Sequence, residues 1–296
     1  MLPTLFVVQY VYQFLIFSIA FCLHLSLLLK LFTSQLVRQQ NSKLLLINIL
    51  LWAGTSFNGA LSAGYLVSKG TTFDQFFGPY IFWIGLPFRV LSTATTFSVS
   101  FLIIDRLIIF KWPFNYARTQ RRLVRCNLLC SITELFHWSK QFQLTQANCS
   151  QINCILKVIP EKAVIAPKLV ASVLNVILGF IFVYKLNGHQ RRQPQAQQNY
   201  RQANLMSLFA CLSELSLNAL PFLIGTGFAV VGINLGNIIG PYNLCCTATD
   251  SLFTAITFCY LITKRLSSNN STLGPTSNIK VLVVVSRTQM SAISKP

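Results

Sequence analysis

Residues 91–111 read LSTATTFSVSFLIIDRLIIFK, and Asp105 and Arg106 are the first acid and the first base in that run. More bases follow in quick succession, at Lys111, Arg118, Arg121, Arg122 and Arg125. Because a bilayer penalises charge, an apolar stretch that ends in an acid–base pair and a basic loop is typical of a helix leaving a membrane. The stretch therefore predicts a membrane-spanning helix whose C-terminal end faces the cytoplasm.

The composition indicates the same environment. Of the 296 residues, 53% are hydrophobic and 10% are charged, a balance that favours lipid over water around much of the chain. The 24 Lys and Arg residues against six acids give a net charge of +18, which in a soluble protein would suggest a nucleic-acid partner. Here the bases lie in short clusters between apolar runs, as membrane insertion requires. We therefore expect contact with membrane lipid and no nucleic-acid partner.

Seven segments are candidates for crossing a hydrocarbon core about 30 Å thick, which takes about 20 apolar residues per helix. The fourth is short and irregular, because its apolar part is interrupted by Arg125 and Glu134. The first lacks a basic start and a cleavage site, so we expect it to remain as a helix. The predicted helices lie near residues 5–29, 44–67, 80–104, 123–144, 163–186, 203–231 and 238–262.

The distribution of basic residues decides whether the fourth segment crosses. With seven crossings and an extracellular N-terminus, 17 bases lie on the cytoplasmic side and four outside. Without the fourth crossing the two sides carry nearly equal numbers, against the positive-inside rule. The sequence thus predicts an all-α fold: a seven-transmembrane-helix bundle over residues 1–265. The remaining segment, 266–296, is rich in Ser, Thr and Asn and is predicted to be a disordered cytoplasmic tail.

This arrangement resembles a G-protein-coupled receptor. The motif around Asp105, Arg106, Pro113 and Tyr116 is similar to that of the nematode serpentine chemoreceptors, class BC most of all, and the resemblance covers about residues 5–265. It implies a multi-pass receptor of the plasma membrane, including that of sensory cilia, which binds a small extracellular molecule and activates a heterotrimeric G protein. It also implies that Asp105 holds Arg106 in the silent receptor and that activation releases it.

The chemistry of these residues agrees with such a switch. A guanidinium near the membrane boundary can exchange a carboxylate for the backbone carbonyls of an incoming helix. The alternative is an ion pair that only anchors the helix end. In the sixth helix, Pro221 interrupts the backbone hydrogen bonds and predicts a hinge, with Glu214 nearby. Proline also occurs in membrane helices without any such role.

Charged residues inside the bilayer predict a ligand pocket. Arg89, Glu214 and Asp250 lie within predicted spans, and each should face the bundle interior because an unpaired charge there is costly. We expect Arg89 and Asp250 to border an outward-open pocket, with Glu214 deeper. The alternative is that Glu214 or Asp250 is neutral and only joins two helices. Aromatic residues that are candidates for lining the pocket are Phe82, Trp83, Phe88 and Phe222.

The predicted extracellular loop after the fourth helix carries two kinds of candidate modification. Cys149 and Cys154 face an oxidising compartment and can form a disulfide, while Asn148 starts a glycosylation sequon that competes with it. Elsewhere His24, His137 and His189 lie on different segments, and no phosphate-binding loop or nucleophile motif appears. We therefore expect no metal, no cofactor and no enzymatic activity.

Two other functional classes remain open at this point. A transporter or channel would use Arg89, Glu214 and Asp250 as an ion or proton path, although the odd helix number and the lack of a repeated half argue against it. A decayed chain without signalling output would account for the irregular fourth helix. Nucleotide exchange, ion flux and cellular retention distinguish the three classes.

Overall fold

The computed structural model describes residues 2–33, 43–69, 78–111, 116–145, 161–192, 198–233 and 241–272. Within these ranges the regular structure is helical, and seven helices follow one another along the chain. They are α1 (Leu2–Thr33), α2 (Lys43–Lys69), α3 (Gly78–Lys111), α4 (Tyr116–Thr145), α5 (Glu161–Arg192), α6 and α7 (Tyr242–Thr272). Helix α6 has three consecutive parts, an α-helical Gln198–Ser213, a π-helical Glu214–Ala219 and an α-helical Leu220–Val230. The predicted all-α bundle is confirmed.

Six of these helices are long and apolar enough to cross a membrane. The spans are Val7–Thr33, Lys43–Ser68, Pro87–Lys111, Ala166–Gly188, Asn204–Phe228 and Tyr242–Lys264. Helix α4 is not among them, although it is a continuous helix of 30 residues. Its first turns carry Arg121, Arg122 and Arg125, all of which are exposed. These charges lower the mean hydropathy of the segment, so a hydropathy criterion does not detect the start of this helix. This is why the predicted fourth segment, 123–144, began later than the helix does.

The helices extend beyond the apolar segments that predicted them. Hydropathy reports only the part of a helix that lies in lipid, whereas backbone hydrogen bonding continues into water. The largest consequence is at the C-terminal end, where α7 runs to Thr272. The tail was predicted to be disordered from residue 266, and that boundary is wrong for residues 266–272. Residues 273–296 lie outside the described part of the chain.

An apolar core closes the cytoplasmic half of the bundle. It joins α1, α2, α3, α6 and α7 through fully buried side chains that include Leu27, Ile49, Leu102, Met206 and Phe258. Burying side chains of this size stabilises a fold by about 1.5–3 kcal/mol each when the alternative is water. Polar side chains are concentrated at mid-membrane instead, so the fold places its chemistry above this core.

The π-helical segment of α6 lies immediately before Pro221, where the sequence predicted a hinge. In it, the amide of Leu220 donates to the carbonyl of Leu215, one residue further back than in an α-helix. This wider turn changes the register of the side chains, and both Glu214 and Asn218 are buried. Single π turns inside α-helices are frequent at functional sites.

Gly59 of α2 lies directly against the Phe17 ring of α1. A Cβ atom added there would lie 2.8 Å from two ring carbons of Phe17. That ring is buried and packs edge-on against Phe88, with centroids 5.5 Å apart, so it has little room to move. We expect Gly59→Ala to lower stability by about 1–3 kcal/mol through overpacking.

The matched control for this change is Gly85→Ala, which meets no atom within 4 Å. A helical Gly→Ala change without a clash should be neutral or slightly stabilising. Thermal unfolding of the purified chain in detergent measures both. Equal unfolding midpoints for the two variants would contradict the close packing at Gly59.

Candidate functional site

The Asp105–Arg106 pair lies at the cytoplasmic end of α3 and is buried. Arg106 Nη2 is 3.6 Å from Asp105 Oδ2, and the two side chains are 5% and 0% exposed. Beside them, α3, α5 and α6 form an apolar cluster of Val99, Ile103, Phe182, Leu186 and Cys211. The guanidinium is therefore withdrawn from solvent, as in the silent arrangement that the sequence analysis described.

The rest of the predicted switch is not placed by the structure. Pro113 lies outside the described residues, and Tyr116 begins α4 but its side chain is not among those described. The Nε atom of Arg106 has no hydrogen-bond partner. A buried donor without a partner is unfavourable, which is the property expected of a group that changes partners.

Mid-membrane, a network around Asn218 joins α6 to α7. The Asn218 side-chain amide donates to Glu214 Oε2 at 3.1 Å and to Asp250 Oδ2 at 2.9 Å. Its carbonyl oxygen accepts from the Thr247 hydroxyl at 2.9 Å. Three of the four hydrogen-bonding positions of this amide are thus occupied. Both acids are at most 1% exposed. Glu214, which was predicted near the hinge, and Asp250, which was predicted at the pocket, are thus joined by Asn218, a residue that the sequence analysis did not single out.

The two acids differ in how fully they are bonded. Both oxygens of Asp250 have donors, since the Thr254 hydroxyl reaches Oδ1 at 3.4 Å. Glu214 Oε1 has no hydrogen-bond partner, although the Thr96 hydroxyl of α3 and the Asp250 carboxyl lie close to this side chain. The two carboxyl groups therefore have a common donor in the Asn218 amide.

Two basic side chains lie above the acids, towards the extracellular side. Arg89 and Lys168 are each two residues inside the outer end of their spans, Pro87–Lys111 and Ala166–Gly188. Arg89 is exposed and Lys168 half-buried, and Lys168 interacts electrostatically with Arg89, Glu214 and Asp250. We call the level of Arg89 and Lys168 the mouth of the candidate site and the level of Glu214 and Asp250 its floor.

Lys168 was missed by the sequence analysis. It lies within the predicted fifth helix, 163–186, shortly after Glu161 and Lys162, but it was not counted among the charges inside the bilayer. The structure instead places its Nζ atom 5.3 Å from the ring centroid of Phe222, a cation–π contact between α5 and α6. Helical spacing from Lys168 to the buried Ser172 and Asn175 was the available signal.

The predicted aromatic residues have different environments. Phe222 is half-buried beneath Lys168, so it lies at the mouth of the site. Phe88 is 6% exposed and packs against Phe17 and Ala248 between α1 and α7, which makes it part of the core. The side chains of Phe82 and Trp83 are outside the described ones.

A layer of interhelical hydrogen bonds surrounds the floor of the site. Ser56 bonds Ser251 at 2.6 Å between α2 and α7, and Asn175 of α5 donates to the Thr96 carbonyl of α3 at 3.0 Å. Between membrane helices such bonds contribute about 0.6 kcal/mol each on average. The layer fixes the positions of α2, α3, α5 and α7 at the depth of the acid pair. The sequence feature that indicates this layer is the run of Ser and Thr residues in α3, between residues 92 and 100.

The predicted modification sites, Asn148, Cys149 and Cys154, lie outside the described residues. Within the described part, no group of three His, Cys, Asp or Glu side chains is arranged to hold a metal ion. The described residues thus hold a cluster of charged and polar side chains within the bundle and a buried arginine near the C-terminal end of α3.

Comparison with known proteins assigns the fold to a family. Residues 2–266 match the family model described as serpentine type 7TM GPCR chemoreceptor Srbc. No curated protein matches the chain. The match spans all seven helices and agrees with the apolar spans, so the protein is a multi-pass integral membrane protein of the plasma membrane. The chain belongs to the Srbc family of serpentine seven-transmembrane chemoreceptors.

Proposed function

We propose that this chain binds a small extracellular molecule between α3, α5, α6 and α7 and, in response, activates a heterotrimeric G protein at its cytoplasmic end. The observation that carries the proposal is the buried Asp105–Arg106 pair at the end of α3, in a chain of a chemoreceptor family. In this proposal the pair acts as a two-state element, because Arg106 lies 3.6 Å from Asp105 and its Nε donor has no hydrogen-bond partner among the described residues.

The contacts of α6 support a route between the two ends. Asn218 holds the π-helical segment to α7, and the cytoplasmic half of α6 packs on α3 through Met206 and Cys211. A molecule that rearranges the Asn218 network changes the preferred position of α6. Because Cys211 belongs to the same cluster as Ile103, such a movement reaches the segment next to Arg106.

Nucleotide exchange tests this proposal. The full chain is reconstituted with a heterotrimeric G protein and exposed to fractions of secreted small molecules, and we expect a saturable rise in guanine nucleotide exchange. Proteoliposomes carrying the same chain test the transporter alternative by ion flux. Flux without exchange would contradict the receptor proposal.

Asp250→Asn should abolish that response with surface expression intact. The change is isosteric, but it removes the charge from the floor of the site and puts an amide donor where Asp250 accepts from Asn218. The matched control is Thr249→Ala, one position along α7, which removes a bond to the exposed Tyr12 hydroxyl and a bond to the Cys245 carbonyl within α7 but leaves the acid network intact. A retained response in Asp250→Asn would exclude Asp250 from ligand recognition.

A further inference from the structure

We infer that the cytoplasmic half of α4 binds an acidic phospholipid of the inner leaflet through Arg121, Arg122 and Arg125. This lipid site lies on the outer surface of the bundle, apart from the ligand site and from the Asp105–Arg106 pair. Its basis is the order of charged and apolar side chains along α4, together with the depth at which α4 packs on α3.

The exposed face of α4 changes from basic to apolar along the helix. Arg121, Arg125 and Leu128 follow one another at spacings of four and three residues, so they form one stripe. Arg122 and Leu129, seven residues apart, form a second stripe beside it. All three arginines are exposed. The apolar side chains that continue the stripes are Leu128, Leu129 and Ile132, which are 45%, 62% and 47% exposed.

The opposite face of α4 fixes its depth in the bundle. Asn127 is buried, and its side-chain amide donates to the Ser98 hydroxyl of α3 at 3.3 Å. Ser98 lies eight residues before Arg106, or about 12 Å, near the middle of the α3 span Pro87–Lys111. Since four residues connect the two helices, α4 runs back along α3. Arg125 is two residues before Asn127, so its backbone lies about 9 Å deeper than that of Arg106.

An exposed arginine at this depth requires an anion, because an unpaired charge in hydrocarbon is costly. Side chains of a helix lean towards its N-terminus, and the N-terminus of α4 is cytoplasmic. Arg125 therefore extends towards the inner headgroups, to the level of Arg121 and Arg122 one turn earlier. Three guanidinium groups at one level of a lipid-facing surface suit a phosphate, which accepts several charge-assisted hydrogen bonds.

Four of the six acidic residues have positions within the helices that keep them from these arginines. Asp105 is buried at the end of α3, whereas the arginines are exposed. Glu214 and Asp250 are buried between α6 and α7. Glu134 is on α4 itself, but it is nine residues after Arg125, or about 13 Å further from the cytoplasmic end.

Chain connectivity keeps the remaining two acids, Asp74 and Glu161, at the outer end of the bundle. Glu161 begins α5, 21 residues or about 31 Å before Phe182, which stacks against Phe110 at the cytoplasmic end of α3. Asp74 is four residues before the start of α3, and four residues span at most about 14 Å. The level of Arg125 is about 33 Å along that helix. Lipid phosphate is therefore the anion at hand for this surface.

The same surface favours a lipid over a soluble anion, and an acidic lipid over a neutral one. Acyl chains can lie along Leu128, Leu129 and Ile132, which a free phosphate would leave uncovered. The choline of phosphatidylcholine offsets its own phosphate, whereas phosphatidylserine keeps a net negative charge. Basic clusters at the cytoplasmic membrane surface attract such acidic lipids.

Lipid titration of the full chain, purified in a neutral detergent and followed by native mass spectrometry, tests the inference. The probes are phosphatidylserine, phosphatidylcholine and glycerophosphoserine, which is the serine headgroup without acyl chains. Phosphatidylserine should bind at least about tenfold more tightly than either of the other two. Equal binding of the two phospholipids would overturn the inference. Equal binding of glycerophosphoserine would show a site for a soluble anion and would overturn it too.

Variants of α4 locate the site. The combined change Arg121→Gln, Arg122→Gln and Arg125→Gln should lower the affinity for phosphatidylserine by at least about tenfold. The corresponding triple lysine variant keeps the charges and should retain the preference for the acidic lipid. Arg125→Gln alone should lower the affinity by about fivefold, so the prediction can be measured even if the triple variant does not fold. Unchanged binding in Arg125→Gln would contradict the assignment.

A charge-matched control separates this site from general attraction between a basic protein and an acidic lipid. It combines Lys30→Gln, Lys185→Gln and Lys264→Gln, at exposed positions near the cytoplasmic ends of α1, α5 and α7. This variant loses as much charge as the triple glutamine variant of α4, yet its affinity should change by less than about twofold. Similar losses in the two triple variants would mean that no particular site exists on α4.

These measurements contain no G protein, so their outcome is independent of the receptor proposal. If the triple glutamine variant of α4 bound phosphatidylserine like the wild type but lost stimulated nucleotide exchange, its exposed face would be a protein contact, and the lipid inference would be wrong.

Discussion

Arg106→Ala is expected to lower ligand-stimulated nucleotide exchange by roughly 100-fold, the loss typical when one partner of a buried, hydrogen-bonded charge pair is removed. The side chain is 4% exposed at the end of α3, and its Nε donor has no partner. In the proposed mechanism these donors bind the G protein once α6 moves. Alanine removes all of them, and exchange normalised to surface expression measures the result.

Two further variants make this prediction specific. Arg106→Lys keeps the positive charge beside Asp105 but loses the planar fork, so exchange should still fall by roughly tenfold. Asp105→Asn weakens the ion pair at 3.6 Å and should raise ligand-independent exchange by roughly fivefold, because the released state becomes more populated. Normal signalling in both Arg106 variants would contradict the role of this residue.

Asn218→Leu is expected to destabilise the bundle by about 2–3 kcal/mol. The leucine has a similar volume but removes three hydrogen bonds, from Glu214, Asp250 and Thr247. The two carboxyl groups would then remain buried at mid-membrane with fewer donors, which is the situation that membrane proteins avoid. Thermal unfolding in detergent measures the loss, and the ligand response should disappear with it.

The control for Asn218→Leu is Ser216→Leu in the same π-helical segment. Ser216 is exposed, and its hydroxyl bonds only carbonyls of the preceding turn, so its replacement should change the midpoint little. Similar losses in the two variants would mean that the π-helical segment tolerates no leucine. In that case the acid network would not be the cause of the destabilisation.

The sequence predicted the spans and the interior charges well, because both follow from the free energy of placing charge in hydrocarbon. The six plainly apolar segments correspond to the six helices that are long and apolar enough to cross a membrane, and Glu214 and Asp250 are both buried, although their common contact with Asn218 was not predicted. The fourth helix could be predicted only from the distribution of basic residues between the two sides of the membrane, because its own hydropathy is too low. These predictions depend on whether a residue lies in lipid or in water, and not on which other residues it contacts.

Details that depend on register and packing were less accessible. Asn218 was visible near Pro221, but whether it faces Asp250 depends on the extra residue in the π turn. Lys168 lay within the predicted fifth helix, 163–186, but the sequence does not show that its side chain contacts Phe222 of α6. Phe88 is equally apolar in the core and in a pocket, so only the contact with Phe17 decides its position.

The central claim is that seven crossings place the α5–α6 connection and the Arg106 end of α3 on the same, cytoplasmic, side. Insertion of a short epitope after residue 194, with antibody labelling of intact and permeabilised cells, tests it most directly. An identical epitope at the N-terminus is the control and should be labelled on intact cells. We predict that the inserted epitope is labelled only after permeabilisation, whereas labelling on intact cells would contradict the account.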